Sequence, residues 1–270
     1  DIDMYTYYHC DRIMNAKDLN HCYYFAFHLL FEWAHIIPEF RALAQSDQMV
    51  LSRQNCSTVG WLHFVYRSVL LDQERIGVPL GNGSYIPYDA GELATMDPQY
   101  QSTYGKLAKK LVDMVGIPIR EMDLDWEEYS LLKAIAMFQF DNELSLEGQR
   151  AVLDFRHHLN SALIAHIEKR FPHMSPAERC MRCFHLTALI PALMQIGHLE
   201  SQFAQQQPFQ IATLTSVTES DAPSAPILYD LPSVNAAEDP TTPSPTNPQQ
   251  NEKPEDHSRQ HPIVIVDARS

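Results

Sequence analysis

Two helical patterns meet across a short, proline-bounded connection within residues 31–67, and this pairing limits the folds open to the chain. Apolar residues recur at helical spacing until Pro38, which removes a backbone donor and ends the first helix. A second apolar pattern begins after Ser46 and Asp47, which we predict to cap that helix. Because the connection is short, the two helices must pack closely, with Arg67 near the end of a largely apolar face. An arginine cannot lose its charge there, so it needs an anionic or strongly polar partner.

Helical patterns also cover most of the chain that follows. Asp125 precedes one of them as a cap with acidic residues in the first turn, and Ser175-Pro176 starts another in the same way. A turn-rich stretch from Gly77 to Pro87 separates two of the helical patterns. We predict helices at 20–37, 98–115, 125–138, 146–171 and 175–207, with a kink at Pro191.

The two ends of the chain differ in composition from its middle. Residues 1–19 are polar and tyrosine-rich with weak periodicity, so we expect a poorly ordered or degenerate segment. Residues 210–270 interleave proline with Ser, Thr, Asn and acidic residues and cannot bury enough apolar surface to offset the entropy of ordering. We therefore predict a disordered tail. Its β-prone patch, Ile263 to Val266, could add to the edge of a partner's sheet, but an unstructured end is favoured.

Composition excludes several classes of function. The net charge of −14 argues against direct nucleic-acid binding, which requires clustered Lys and Arg. The apolar run at 184–197 is too short to span a bilayer, so no membrane association is expected. No phosphate loop, nucleophile motif or zinc-protease motif is present, so catalytic residues and an enzyme are not expected. The pair Cys180 and Cys183 supplies only two metal ligands, which favours a structural role over a metal site.

A set of aromatic, proline, Asp-Gln and arginine positions recurs in and after the paired helices. The set is Trp33-Ala34, Pro38, Phe40, Leu43, Asp47-Gln48, Leu51 and Arg67-Ser68, with support from Asp125 to Tyr129, Leu132 to Ile135, Phe138 to Asp141 and Leu186 to Ile196. These residues look like the signature of the nuclear receptor ligand-binding domain, and the resemblance extends over 20–209. Within that family Leu80 to Pro87 and Gly91 to Met96 look most like the hepatocyte nuclear factor four branch, with a divergent nematode-type receptor as the alternative.

This resemblance implies an all-α, three-layer helical sandwich with a small β-hairpin between Gly77 and Pro87. It also implies the ligand-binding and dimerisation domain of a nuclear transcription factor that regulates RNA polymerase II transcription. No cofactor is expected in this chain, since zinc and DNA contact would belong to a separate domain that five cysteines with one CxxC pair cannot build. Dimerisation, with itself or another receptor, would use the helix from Cys180 to Gln207.

The resemblance implies a ligand site centred on Arg67. That arginine would bind the carboxylate of a fatty-acid-like lipophilic acid with a charge-assisted hydrogen bond of about 1.5–3 kcal/mol. The alternative is an arginine paired with a nearby carboxylate or carbonyl, without any ligand. The residues that align with pocket-lining positions, which simple core packing would explain equally well, are Cys22, Ala26, Leu30, Cys56, Gly60 and Phe64.

The resemblance further implies a groove for a coactivator or corepressor peptide. Its residues here would be Phe31, His35, Met49 and Arg53, with His35 where the family carries lysine. The activation helix expected around Glu219 lacks its apolar pairs, so we expect it to be absent or degenerate. Ligand-switched coactivator binding is therefore the least expected property. The competing hypothesis is a ligand-independent helical interaction and dimerisation module derived from such a receptor.

Overall fold

A computed structural model describes residues 8–206, apart from the side chains of residues 20, 23, 25, 27, 201 and 203–206. The predicted tail at 210–270, its patch at Ile263 to Val266 and the activation-helix position Glu219 lie outside the described residues. Within them the domain is all-α with one small sheet, as predicted. The elements are β1 Arg12–Ile13, α1 Ala16–Ile36, α2 Pro38–Ala42, α3 Gln45–Leu70, β2 Gly77–Pro79, β3 Ser84–Pro87, α4 Ala90–Leu93, α5 Pro98–Leu111, a π-helix Val112–Gly116, α6 Ile117–Glu121, α7 Trp126–Met137, α8 Leu146–Arg170, α9 Pro176–Thr187 and α10 Leu189–Gln206.

Helix α3 is the central element of the layered arrangement. It packs against α1, α7 and α10, and its C-terminal half contacts the small sheet. Its residues Leu62 and Val65 are fully buried in the core formed with these helices. A helix surrounded in this way presents several faces to other elements, which explains why apolar residues occur all around it.

The predicted cap of α3 is wrong in its details. The helix begins at Gln45 after Ala44, which makes no side-chain capping hydrogen bond. The Asp47 carboxylate is buried and instead accepts hydrogen bonds from the backbone N–H and the hydroxyl of Ser145, at 2.8 and 2.6 Å. A Cβ atom at Gly148 would lie 2.3 Å from that carboxylate, so the close approach requires glycine. Asp47 therefore fixes α3 to the start of α8.

The predicted hairpin is confirmed, and a third strand joins it. Strands β2 and β3 pair antiparallel, with Val78 opposite Ile86. β1 pairs parallel to β3 on the other side, within the segment 1–19. Helix α1 begins at Ala16, four residues before its predicted start, with a capping box formed by Asn15 and Asp18. Arg12 and Ile13, just before α1, thus form an edge strand of the sheet.

The remaining helices follow the predicted pattern. The stripe Phe155, Leu159, Leu163 and Ile167 of α8 is buried as expected. Asp125 caps α7 and Ser175 caps α9, each through a capping box with a glutamate three residues later. The helix predicted at 98–115 is α5 followed by the π-helix.

Helices α9 and α10 adjoin at Ala188, near the predicted kink at Pro191. Together, residues Pro176–Glu200 form a helical stretch long and apolar enough to span a membrane by length and composition alone. Packing explains much of this apolar character, because Leu186, Leu193 and Ile196 are fully buried in the core.

Candidate ligand-binding site

The predicted ligand residues lie on α1 and α3, two helices that pack against each other. Midway along this contact, a Cβ atom at Gly60 would lie 3.7 Å from the Cβ atom of Ala26, an ordinary van der Waals distance. The two helices therefore touch directly at this point. Of the predicted residues, Cys22, Leu30 and Phe64 are buried, while Ala26, Cys56, Gly60 and Arg67 are half-buried.

One end of this helix pair is filled by an acidic side chain from α10. The buried carboxylate of Glu200 accepts hydrogen bonds from the Ser57 hydroxyl at 2.5 Å and from the Trp61 indole N–H at 2.9 Å. Nearby, a Cβ atom at Gly197 would approach the Ser57 Oγ atom to 3.0 Å, so α10 and α3 are in close contact. We call this region, formed by Cys56, Ser57, Trp61 and Glu200, the acidic end.

The acidic end also affects the thiols that were predicted to line the pocket. Burial, and secondarily the Glu200 carboxylate, raise the pKa of the Cys56 thiol to about 11. The same causes, with Cys56 as a third, raise the pKa of the buried Cys22 thiol. Both thiols therefore stay protonated near neutral pH, as small apolar side chains.

The opposite end of this helix pair contains Arg67, which lies ten residues after Ser57 on α3. Its guanidinium carbon lies 5.4 Å from the ring centroid of Tyr8 and 6.0 Å from that of Trp126. Its Nε atom is buried and has no hydrogen-bond partner among the described residues. Aromatic rings thus surround a charge that has no carboxylate beside it, an arrangement in which cation–π attraction replaces only part of the lost hydration.

A hydrogen-bonded histidine joins the aromatic residues around Arg67. The His63 Nε2 atom lies 2.8 Å from the Tyr8 hydroxyl, and its Nδ1 atom lies 3.0 Å from the Tyr129 hydroxyl. Burial first, then the nearby charges of Lys133 and Arg67, hold the pKa of His63 well below its usual range. The imidazole is therefore neutral near pH 7, with both ring nitrogens engaged.

A second cation lies in the same region. Burial and the charge of Arg67 lower the pKa of Lys133 to about 7. The Lys133 ammonium lies 4.0 Å from the ring centroid of Trp33 on α1. We call Arg67, Lys133 and His63, with the rings of Tyr8, Trp126 and Tyr129, the cationic end.

The carboxylates nearest the cationic end have partners of their own. Asp125 contacts the His166 Nε2 atom at 2.8 Å and the Arg170 Nε atom at 3.3 Å. With Glu127, Asp125 and His166 form the one group of described residues whose ligand atoms lie close enough to hold a metal ion. Because His166 and Arg170 already contact the Asp125 carboxylate, this group is a network of polar contacts at the start of α7 rather than evidence of a metal centre.

The predicted peptide groove is divided between α1 and α3. The rings of Phe31 and His35 lie 4.1 Å apart, and the His35 Nδ1–H donates to the Phe31 carbonyl oxygen at 2.8 Å. Met49 is exposed, and Arg53 is exposed and paired with Glu143. Two of the four side chains are therefore already engaged within the chain.

The helix predicted for dimerisation has an exposed apolar surface. Met181, Phe184 and Met194 are each about half exposed or more. Cys180 is exposed and Cys183 half-buried on the same helix, and neither belongs to the group of potential metal ligands among the described residues.

Two surface grooves lie away from the predicted ligand residues. One, of about 450 Å³, is lined by Lys110 of α5 and by α10 residues including His198. The other, of about 440 Å³, lies between Leu43 and Gly148 near the start of α8. Neither groove includes Arg67, so neither is the predicted ligand site.

The sequence predicted Arg67 as a ligand residue but did not predict the residues that surround it in the structure. Trp126, Tyr129 and Lys133 have a spacing that places them on one face of α7, and this signal could have been recognised. The positions of Tyr8 and Glu200 carry no such signal, because their contacts with α3 span long stretches of the chain.

Comparisons with known proteins match the same part of the chain. A family model described as the ligand-binding domain of nuclear hormone receptor matches residues 9–205. The nuclear hormone receptor family member nhr-100 of Caenorhabditis elegans is 27% identical over 178 residues, which is 66% of this chain and 40% of that protein. The family member nhr-69 of the same organism is 28% identical over 174 residues, covering 63% and 43%. Hepatocyte nuclear factor 4-alpha of Xenopus laevis is 32% identical over 113 residues, covering 42% and 22%. The chain thus spans less than half the length of each of these relatives.

Proposed function

The chain belongs to the nuclear hormone receptor ligand-binding domain family, and from this membership we propose that it is the ligand-binding and dimerisation domain of a receptor that regulates transcription. We further propose that it binds a lipophilic acid, such as a fatty acid, at Arg67. Members of this family generally act by binding rather than by catalysis, so no enzymatic activity is proposed. The corresponding location is the nucleus, with DNA contact through a separate domain of the whole receptor.

The environment of Arg67 is the observation that carries the ligand proposal. The side chain lies among aromatic rings with a buried Nε atom, and it makes no hydrogen bond or ion pair with any described residue. A structural arginine would be paired with a carboxylate or a carbonyl oxygen, since burying an unpaired charge is costly. An acidic ligand would supply the missing partner through bidentate hydrogen bonds.

The apolar part of such a ligand has a surface to contact. Phe64 lies one helical turn before Arg67, and its ring lies 6.4 Å from that of Tyr8. The proposed lining residues are the six predicted with Arg67, on the facing sides of α1 and α3: Cys22, Ala26, Leu30, Cys56, Gly60 and Phe64.

Lipid retention tests this proposal. The full chain is purified, and its bound lipid is extracted and identified by mass spectrometry, followed by titration with a long-chain fatty acid. Arg67→Met keeps an apolar stem against the rings but removes the charge. We expect it to weaken fatty-acid binding by about 10- to 100-fold, the equivalent of a charge-assisted hydrogen bond.

The matched control is Arg150→Met, which removes an exposed arginine from α8 and should leave binding unchanged. Equal fatty-acid affinity in the unaltered chain and in Arg67→Met would overturn the assignment of Arg67 as the anchor.

The acidic end favours a second candidate function, the ligand-independent interaction module. Glu200 occupies the space between α3 and α10 and is hydrogen-bonded to Ser57 and Trp61, which leaves less room for a long ligand. Dimerisation through the helix from Cys180 to Gln207 would then be the principal activity. A purified chain that contains no lipid and takes up none, yet forms a dimer that Phe184→Asp dissociates in analytical ultracentrifugation, would support this candidate over the first.

Peptide binding is a further proposal. The groove of Phe31, His35, Met49 and Arg53 would contact a helical coactivator or corepressor peptide, weakly because His35 replaces lysine. A pull-down with an LxxLL peptide tests it, and unchanged binding by Met49→Ala would argue against this surface.

A further inference from the structure

The cationic end contains two basic side chains, Arg67 and Lys133, and no carboxylate among the described residues is paired with either. Lys133 and Tyr129 are four residues apart on α7, so they share the face of that helix that meets α3. The Lys133 ammonium lies over the face of the Trp33 ring, 4.0 Å from its centroid. The ammonium makes no hydrogen bond or ion pair with a described residue. Arg67 likewise contacts an aromatic ring, that of Tyr8, and its buried Nε atom has no hydrogen-bond partner among the described residues.

A chain of contacts joins the two basic side chains. Arg67 lies over the Tyr8 ring, and the Tyr8 hydroxyl contacts His63. His63 also contacts the hydroxyl of Tyr129, one helical turn before Lys133. Burial lowers the pKa values of Lys133 and His63 most, and the charge of Arg67 lowers both further.

His63 adds no free hydrogen-bonding group, because both of its ring nitrogens are engaged with Tyr8 and Tyr129. The nearest acid on α7, Asp125, is bound to His166 and Arg170. Near pH 7 the region therefore contains the charged Arg67 and a partly protonated Lys133, with no carboxylate among the described residues paired with either.

We propose that the site at Arg67 takes a lipophilic molecule whose head carries two negative charges, of the phosphate monoester class, in preference to a monocarboxylate. This inference rests on the proposed function, which places an acidic ligand at Arg67. A carboxylate balances only one of the two cations. A phosphate monoester carries a charge of about −1.5 to −2 near pH 7 with three acceptor oxygens, enough for the planar guanidinium of Arg67 and the compact ammonium of Lys133 together.

Binding of such a ligand should also change the protonation state of Lys133. In the free protein, with a pKa of about 7, Lys133 is mostly neutral at pH 8. A dianion beside it favours the ammonium form, so binding raises the pKa and Lys133 takes up a proton from the solvent. The facing groups on other elements are His63 and Arg67 of α3 and Trp33 of α1, none of which can supply that proton at pH 8.

Isothermal titration calorimetry of the full chain at pH 8 tests the proposal with two ligands of equal chain length, dodecyl phosphate and dodecanoate. Each titration is repeated in two buffers of different ionisation enthalpy, which gives the number of protons taken up. We expect dodecyl phosphate to bind about tenfold more tightly, with an uptake approaching one proton. Dodecanoate should bind with a smaller uptake.

Three variants distinguish the effect of a positive charge at position 133 on ligand affinity from the uptake of a proton by Lys133. Lys133→Met should bind the two ligands equally, without proton uptake. Lys133→Arg should keep the preference for phosphate without the uptake, because a guanidinium does not titrate at this pH. Lys169→Met removes an exposed lysine from α8 and should behave as the unaltered chain does.

The possible failures are distinguishable. Equal affinity for both ligands in the unaltered chain, or an unchanged preference in Lys133→Met, overturns this inference and leaves the proposed function standing. If neither ligand binds, or if Arg67→Met binds both normally, the proposed function fails as well. Inorganic phosphate binding as tightly as dodecyl phosphate would overturn the lipid part of the inference and identify a free-phosphate site.

Discussion

The two ends of the α3 face that meets α1 are chemically opposite. At the acidic end, Glu200 of α10 satisfies the polar atoms of Ser57 and Trp61, and the helices are in close contact. At the cationic end, ten residues further along α3, Arg67 and Lys133 have aromatic neighbours and no paired carboxylate among the described residues. At Gly60, next to Trp61 of the acidic end, an added Cβ atom would lie 3.7 Å from the Cβ atom of Ala26 on α1.

This difference distinguishes a stabilising contact from the proposed binding site on one helix. Polar groups that are fully paired inside a protein stabilise its fold, whereas unpaired charges at low exposure destabilise it and persist where a ligand or another function requires them. The acidic end is a structural contact, and the cationic end is the proposed ligand site. Substitutions at the two ends should therefore affect stability in different ways.

The largest expected difference comes from the two tryptophans. Trp61→Ala removes a buried indole that is hydrogen-bonded to Glu200, and we expect it to lower the free energy of unfolding by about 3–5 kcal/mol. Trp126→Ala, at the half-buried cationic end, should cost clearly less. Urea denaturation followed by circular dichroism measures both. Equal losses would break the comparison between a structural end and a binding end.

Removal of one charged side chain from each end should change the free energy of unfolding in different directions. Glu200→Leu leaves the Ser57 and Trp61 donors without their shared acceptor, so we expect a loss of about 1–3 kcal/mol in the free energy of unfolding. Arg67→Met removes an unpaired charge and should leave that free energy unchanged or raise it. Urea denaturation of the ligand-free protein measures both variants. A large loss of unfolding free energy in Arg67→Met would indicate that the arginine has a structural partner.

A smaller effect is expected from pH. The unfolded chain holds the Lys133 proton up to about pH 10.4, whereas the folded chain releases it near pH 7 because its pKa is lowered to about 7. Between these values the unfolded state binds more protons, so stability rises with pH. From pH 7 to pH 8.5 we expect the free energy of unfolding to rise by about 1–2 kcal/mol, which raises the melting temperature by about 3–6 °C.

Lys133→Met should flatten this pH dependence, and the exposed control Lys169→Met should not. The lowered pKa of His63 acts in the same direction at lower pH, with stability lost as the pH falls below about 6.5. A slope that persists in Lys133→Met at pH 7–8.5 would assign the effect to another group.

The smallest expected effect on stability comes from alanine substitutions at two helical glycines, Gly60 and Gly197. At Gly60 a Cβ atom would make an ordinary contact of 3.7 Å with Ala26, so Gly60→Ala should stabilise the domain by about 0.5–1 kcal/mol through helix propensity. At Gly197 the added atom would lie 3.0 Å from Ser57 Oγ and 3.3 Å from its Cβ, and this crowding should cancel the gain. Thermal melts of both variants check the difference. A larger gain at Gly197 would show that the acidic end is loosely packed.

Local sequence signals predicted much of the fold and little of the site. Capping residues fixed the starts of α7 and α9, because Asp125 and Ser175 act within a single helical turn. Periodicity predicted the buried stripe of α8, and glycines and prolines indicated the hairpin. These features depend on neighbours along the chain and are visible without any tertiary contact.

The features that were missed depend on distant partners. Asp47 has the position of a helix cap, but its carboxylate is bound by Ser145, 98 residues away. Glu200 contacts Trp61 across 139 residues and so places a buried carboxylate against α3. Tyr8 reaches His63 from a segment with weak periodicity. Propensity and spacing contain no information about such pairs.

The buried Glu128 on α7 has a consequence for how motion travels through the domain. Its carboxylate is bound by Arg170 of α8 at 2.7 Å and by Arg182 of α9 at 2.6 Å, and the next residue, Tyr129, belongs to the cationic end. If two chains associate through α9 as proposed, a shift of that helix would reach α7 through short ionic contacts instead of flexible loops. Stiffness at this junction would then make the proposed oligomer assembly and the shape of the proposed ligand site mechanically dependent on each other.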